Sequence, residues 1–260
     1  TDGKLPLWEV GAGACTLIAP AYLGSSVTRA FVAPWPYAVY RGERLHANRE
    51  GIGLGVIDSP RLKLDLSLSG ALPVQSSGTA REGMRDLPMV GEIGPVLRYK
   101  MINEPGHQWS VRLPVRYGVG LQRGDLEGVG WICDPTLRGI ESINLMGKRV
   151  DWGIDLSFKF QDKHFNNFYY QVKPSEVTAQ RNAYETRGGY SGMTINTGLL
   201  ARWEQVVLGG FVGVSELRGA RFTSSPLVER KTNVFGGVAI FWILDKSSQS
   251  ASYAEADAAR

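Results

Sequence analysis

From Leu62 to Gly70 the chain reads Leu-Lys-Leu-Asp-Leu-Ser-Leu-Ser-Gly, apolar on one parity and polar on the other. Val150 to Phe160 repeat the pattern as Val-Asp-Trp-Gly-Ile-Asp-Leu-Ser-Phe-Lys-Phe. Trp109 to Leu121 do so a third time, with Trp109, Val111, Leu113, Val115, Tyr117, Val119 and Leu121 set against Ser110, Arg112, Arg116 and two glycines. A period of two is the mark of a β-strand with two chemically different faces. Soluble strands have a mode of about 5–6 residues, and these runs are far longer. Tilted strands of about 9–11 residues are what a transmembrane β-barrel needs to cross a bilayer.

Composition agrees with a wall of strands. The chain has no apolar run of the length a transmembrane helix requires, about 18 residues, and its 32 glycines, seven tryptophans and ten tyrosines suit tight turns and aromatic anchors. A net charge of +4 with acids scattered among the bases is not the clustered stripe that nucleic-acid binding uses. Cys15 and Cys133 match no metal spacing and read as ordinary strand residues, with a disulfide open in an oxidising envelope. Thr1 begins no visible signal peptide, as expected of an exported protein whose leader has been removed.

Strand-like stretches fall at 7–18, 30–40, 44–50, 52–58, 61–72, 89–101, 108–121, 129–139, 149–161, 189–203, 205–216 and 232–243. Short connections carry turn residues, as at Arg41-Gly42-Glu43, Ser59-Pro60, Asn103-Glu104-Pro105-Gly106, Gly147-Lys148 and Glu204. Long ones cover 19–29, 73–88, 122–128, 162–188 and 217–231, and from 61–72 onward short and long alternate strictly. Short periplasmic turns and long external loops are the asymmetry of outer-membrane barrels, which close with an even strand number. The expectation is an all-β, antiparallel up-and-down transmembrane barrel of about 12 strands, or ten if the short pair at 43–58 stands outside the wall. The barrel is expected over 1–243, with an Ala- and Ser-rich tail over 244–260 that reads as disordered and periplasmic. Pro34, Pro36, Pro95, Pro114 and Pro135 fit this poorly, because a closed barrel has no free edge to hold them.

Both a membrane barrel and a lipocalin-like soluble barrel alternate, so the chemistry of the two parities has to decide. The polar parity holds Lys63, Asp65, Glu92, Arg98, Lys100, Arg112, Arg116, Asp151, Asp155, Lys159 and Arg202, interspersed with glycine. The other holds Leu, Val, Ile and aromatics, with Trp8, Trp109, Trp152, Trp203 and Trp242 near strand ends as an aromatic girdle. Bulk outward and mixed charge inward describe a bilayer-spanning wall. Buried charges need partners, so the interior is read as salt-bridged rather than as a polar pore. Arg29, Arg41, Arg44, Arg49, Arg123 and Lys148, near strand ends, read as headgroup contacts.

In order along the chain stand Tyr40-Arg41-Gly42-Glu43-Arg44, Asp58-Ser59-Pro60-Arg61-Leu62, Arg112-Leu113-Pro114-Val115-Arg116, Asp134-Pro135-Thr136-Leu137, Phe168-Tyr169-Tyr170-Gln171-Val172, Gly189-Tyr190-Ser191-Gly192 and Ser225-Pro226-Leu227-Val228. With these marks, over about residues 7–242, the sequence resembles the MltA-interacting protein family, MipA/OmpV, of Gram-negative outer membranes. That resemblance implies an outer-membrane scaffold joining a lytic murein transglycosylase to a bifunctional penicillin-binding protein, with outer-membrane lipid around the barrel. It brings no catalytic, cofactor-binding or metal residues.

Three other function classes follow from the residues. An enzyme would need a constellation around His46, His107 or His164; His107 lies in a short periplasmic turn, the wrong end for external chemistry, and His164 lies in the long external loop near Asp162. A small-solute channel would use the polar lumen. An adhesin or recognition barrel would use loop 162–188, whose Phe165, Phe168, Tyr169, Tyr170 and Tyr184 can present a surface or, the preferred reading, fold inward as a plug. The reading adopted is a non-enzymatic barrel without cofactor.

Overall fold

The computed structural model describes residues 6–42, 45–48, 51–122, 125–145, 148–249 and 251. Its strands are β1 (Trp8–Pro20), β2 (Thr28–Arg41), β3 (Leu45–Asn48), β4 (Gly51–Asp58), β5 (Leu62–Ala71), β6 (Met89–Glu104) and β7 (His107–Gln122). There follow β8 (Asp125–Cys133), β9 (Thr136–Leu145), β10 (Lys148–Gln161), β11 (Gly189–Arg202), β12 (Val206–Glu216) and β13 (Thr232–Lys246), with one helix, α1 (Lys163–Tyr170), between β10 and β11. Apart from β8 and β9, which each pair with β7 and β10, the strands pair antiparallel with their neighbours in sequence; β13 returns to β1 and β10 bonds to β11, so the sheet closes on itself. Closure removes most of the edges that a long sheet would otherwise expose, β2 being joined to β3 only at Tyr40 and Arg41.

Thirteen strands make twelve staves, because β8 and β9 share one. The upper half of β7, Val115–Gln122, pairs with β8, and its lower half, His107–Arg112, pairs with β9. Asp134 and Pro135 divide the two pieces. Pro135 has no N–H to give the ladder, and the Arg116 guanidinium holds the Asp134 carboxylate at 2.9 Å. An expected single strand at 129–139 is therefore a broken one whose kink is pinned from the lumen.

Both described chain ends lie at one rim, where Leu7 N–H donates to Gln249 O and Ser247 N–H to Trp8 O. The turns at this rim are short, including Ser59–Arg61, Pro105–Gly106 and Trp203–Gln205, which makes it the periplasmic one. The long loops 21–27, 72–88, 162–188 and 217–231 rise from the other rim. Loop 122–128 is an exception to the expected strict alternation. Gln122 pairs directly with Asp125 and Leu121 with Leu126, so the ladder continues in place of the expected long loop. The last strand runs to Lys246, and residues 252–260 of the expected tail lie outside the described residues.

The outward parity is a continuous apolar surface. Val32, Leu54, Leu68, Ile93, Leu113, Leu199, Val212 and Val238 are all exposed, and that surface is what a bilayer covers. The burial that would form a soluble core lies instead in two patches at the external mouth.

Candidate functional site

Cross-strand register fixes which residues face the lumen, since directly paired residues share a face. Lys63, Arg98 and Arg112 stand opposite one another on β5, β6 and β7. Like charges so placed would repel, and carboxylates interleave them. Lys63 Nζ lies 3.6 Å from Asp65, Arg116 Nε lies 3.3 Å from Glu92, and Arg138 Nε lies 3.2 Å from Asp155. Lys159 stands near Glu92, Asp151 accepts from Ser142 Oγ at 2.6 Å, and Lys100 pairs with Ser110. Lys63 is only 1% exposed. The lumen charges named from sequence thus fall on the inner parity, most of them on the arc from β5 to β10.

Arg202 does a different task. From β11 it reaches Glu9 on β1, which also binds Arg41 Nη2 at 2.9 Å, while Arg202 Nη2 donates to Tyr37 Oη at 2.8 Å. This bracket ties β11 to β1 and β2 near the periplasmic end. Arg41 is therefore buried in the lumen rather than at lipid headgroups, because a carboxylate at 1% exposure demands a cation. Arg29 also departs from the headgroup expectation: it bonds Gln75 and the Ser77 carbonyl in the loop after β5. Arg44, Arg49 and Arg123 lie outside the described residues, as does the side chain of His46.

The arc from β12 through β13 and β1 to β2 is chemically unlike the rest. Pairing of Gly213 with Phe235, Gly237 with Phe211 and Gly13 with Phe241 places phenylalanines on the lumen parity. Phe31 and Trp35 join them from β2, opposite Leu17 and Gly13. The glycines make this possible. A Cβ on Gly213 would sit 2.5 Å from the Phe235 ring, and one on Gly13 would sit 2.6 Å from the Phe241 ring, so each ring lies over bare backbone. Large aromatics are thus not confined to the lipid side, contrary to the sequence expectation.

The five girdle tryptophans all sit toward the periplasmic rim. Trp8 opens β1, Trp109 and Trp152 lie near the starts of β7 and β10, Trp203 is in the turn after β11, and Trp242 pairs with Ala12 near the end of β13. Trp109 Nε1 donates to Glu141, which also takes His107 Nδ1 at 2.6 Å.

A lid covers the external mouth. Its four loops join β1 to β2, β5 to β6, β10 to β11 and β12 to β13, so contacts of the β5–β6 loop with the β10–β11 loop cross the opening. They share one apolar core of Tyr22, Val74, Leu87, Tyr170, Val172, Leu217, Phe222 and Leu227. Tyr170 and Phe222 stack with ring centroids 3.8 Å apart. Tyr22 donates to Leu227 O and Tyr170 to Leu23 O, each at 2.9 Å. Arg81 donates to Tyr169 O at 2.7 Å, and Arg181 clamps the Ala80 and Glu82 carbonyls at 2.9 Å. Buried guanidinium groups spent on carbonyls satisfy acceptors that loop backbone cannot satisfy itself.

Helix α1 anchors the lid to the wall. Asp162 caps it by accepting from Phe165 N–H at 2.8 Å. Phe165, 3% exposed, then drops among Val90 at the top of β6 and Val129 and Ile132 in the second half of β8. A Cβ on Gly118 would meet the Phe165 ring at 3.0 Å; the missing side chain is the socket. Phe168, Tyr169 and Tyr184 pack against the same core. The acid nearest His164 in sequence is therefore engaged as a cap, and His164 itself is exposed.

Burial pushes the Tyr22 phenol up to about 12, and pushes Tyr169 and Tyr170 up as well. A raised phenol pKa means the folded lid favours the neutral form. Its contribution is complete below about pH 10 and is lost as pH climbs through the folded value. Tyrosinate absorbance should accordingly show these three lagging the exposed tyrosines and then ionising together as the lid opens. Simple titration of all tyrosines near pH 10 would mean the lid is not packed in solution.

A family model described as MltA-interacting protein MipA matches residues 10–244. Outer membrane protein Omp26La of Vibrio anguillarum is 34% identical over 73 residues, which is 27% of each chain; the match spans about a quarter of that relative. Among solved structures, the NanC porin is 6% identical with a TM-score of 0.40, covering 91% of this chain and 100% of that one. The CymD monoaromatic hydrocarbon channel is 9% identical with a TM-score of 0.37, covering 91% and 88%. With a closed twelve-stave wall, a lipid-facing parity and a family match over nearly its whole length, the chain belongs to the MltA-interacting protein MipA family and is an outer-membrane β-barrel.

Proposed function

We propose that the barrel is a non-enzymatic scaffold, held in the outer membrane to station peptidoglycan-remodelling enzymes beneath it. The family name points to MltA, a lytic murein transglycosylase, as the direct partner, with a bifunctional penicillin-binding protein joined through it. The observation that carries this reading is the lid. Four loops are committed to one buried core across the mouth, and Arg202, Glu9 and Arg41 bracket the lumen near its other end. A barrel built this way favours a fixed platform over a small-solute channel. The lid residues that could serve an adhesin are mostly turned into the core rather than outward.

The platform would be the periplasmic rim, where Glu104, Pro105, Trp203, Glu204 and Gln205 stand exposed, together with the chain after Lys246. Pull-down from detergent-extracted outer membranes with the full chain should recover a murein transglycosylase. Replacing Glu104 and Glu204 by Arg, or removing 247–260, should cut recovery by about tenfold, a loss of about 1.4 kcal/mol. Recovery of no murein enzyme by the intact chain would sink the scaffold reading.

A further inference from the structure

The closed ring contains a window. β3 pairs with β2 only at Tyr40 and Arg41, and β4 reaches β5 only as far as Leu68. Above that low hairpin, among the described residues, β2 from Thr28 to Val39 pairs with β1 on one side and with no strand on the other. The gap is framed by β2, the upper end of β5 and, at the top, the bonds from Arg29 to Gln75 and Ser77.

The direction of the free edge follows from one hydrogen bond. Arg41 N–H donates to Leu7 O on the β1 side, and the β1–β2 register runs without a bulge. Odd-numbered residues of β2 therefore turn their backbone groups to β1, and even-numbered ones turn theirs to the window. Pro34 and Pro36 both fall on the window side. Their place in the strand is thus explained: a proline is tolerated where its missing N–H faces an unpaired edge. They also disfavour an added partner strand, since two successive donors are absent where a ladder would need them.

What remains on that edge are the N–H groups of Thr28, Ala30, Val32 and Ala38 and a row of carbonyls. Bare backbone in hydrocarbon costs several kcal/mol per unmet group, so the window requires an occupant or water that brings polar atoms. Just inside it stand Phe31 and Trp35, the latter on the lumen parity yet 54% exposed. A cavity of about 420 Å³ opens at the upper corner, lined by Arg29, Phe31, Pro73, Val74 and Gln75. That volume lies within the usual range for small-molecule sites, about 300–1,000 Å³.

We propose that this window is a lateral binding site for a small amphipathic molecule, one with an apolar ring and one or two hydroxyl or amine groups, taken from the outer leaflet. The ring would rest on Trp35 and Phe31, and the polar groups would bond the β2 edge. The lid leaves this side route open while covering the mouth. The site is independent of the proposed scaffold role, which concerns the opposite rim.

The test is photo-crosslinking of the full chain in outer-membrane vesicles with a diazirine-bearing phenol, mapped by peptide mass spectrometry. Label is expected on Phe31–Trp35 and on 73–75, competed by excess unlabelled phenol. Ala33→Trp, which fills the lumen side of the window, and Trp35→Ala should each reduce it by about tenfold, the order expected for an apolar ring losing its buried contact. Val212→Trp on the lipid face of β12 should leave it unchanged, and heat-modified gel migration confirms that each variant is folded. Tyr170→Ala in the lid should also leave the label in place. Label spread evenly over lipid-facing strands, indifferent to competitor and to Ala33→Trp, would overturn the proposal. So would label that appears only when the lid is disrupted.

Discussion

Tyr170→Ala is expected to turn an electrically silent barrel into a conducting one. Tyr170 stacks on Phe222, bonds Leu23 O, and supplies its own carbonyl to Ser225, so it joins three of the four lid loops. Truncating a fully buried aromatic costs about 3–5 kcal/mol, and binding loops sit at the low end of a protein's local stability. A lid that loses that much should open for a large fraction of the time. In planar bilayers the intact chain should give no steps, and the variant should give frequent ones. Tyr184→Ala, at the half-exposed margin of the same core, should stay closed. A conducting wild type, or a variant whose lid is cut by protease while conductance stays nil, would refute the gating role.

Glu9→Leu should cause a large loss of stability in the wall. The Glu9 carboxylate faces two guanidinium groups, and Arg41 is itself 3% exposed. Breaking a buried pair by removing one partner costs about 3–5 kcal/mol, because the remaining charge has no compensation. Urea unfolding in vesicles, followed by tryptophan emission, should move to markedly lower denaturant. Glu9→Gln, which keeps acceptor capacity, should lose less. Adding Arg202→Leu to Glu9→Leu should restore part of the loss, and strict additivity of the two would show that the bracket carries no coupling.

The barrel could be read from the chain because alternation is a local property and lipid enforces it on every stave. The short pair at 44–58 followed from parity alone. The two-walled lumen did not. Phe211, Phe235 and Phe241 alternate with glycine, and a glycine gives no sign of which parity it serves until its cross-strand partner is known. Pro34 and Pro36 looked like an objection to closure, and the objection was sound: the wall is open beside them. The lid aromatics could be picked out by type, whereas Arg81 and Arg181 could not. They hold carbonyls about a hundred residues away or in aperiodic loops, and neither period nor motif marks them.

The one-sided indole belt has a consequence for how the molecule rides in its membrane. Tryptophan prefers the interface between headgroup and acyl chain, and here five of seven are spent on the periplasmic leaflet. That leaflet sets the depth of the barrel, while the lidded end carries no matching ring and can tolerate a change in the thickness or packing of the leaflet above it. Whatever binds from below thus meets a rim held at constant height. Quenchers placed in the inner leaflet should dim most of the intrinsic emission, and those placed in the outer leaflet should reach mainly Trp131 and Trp35.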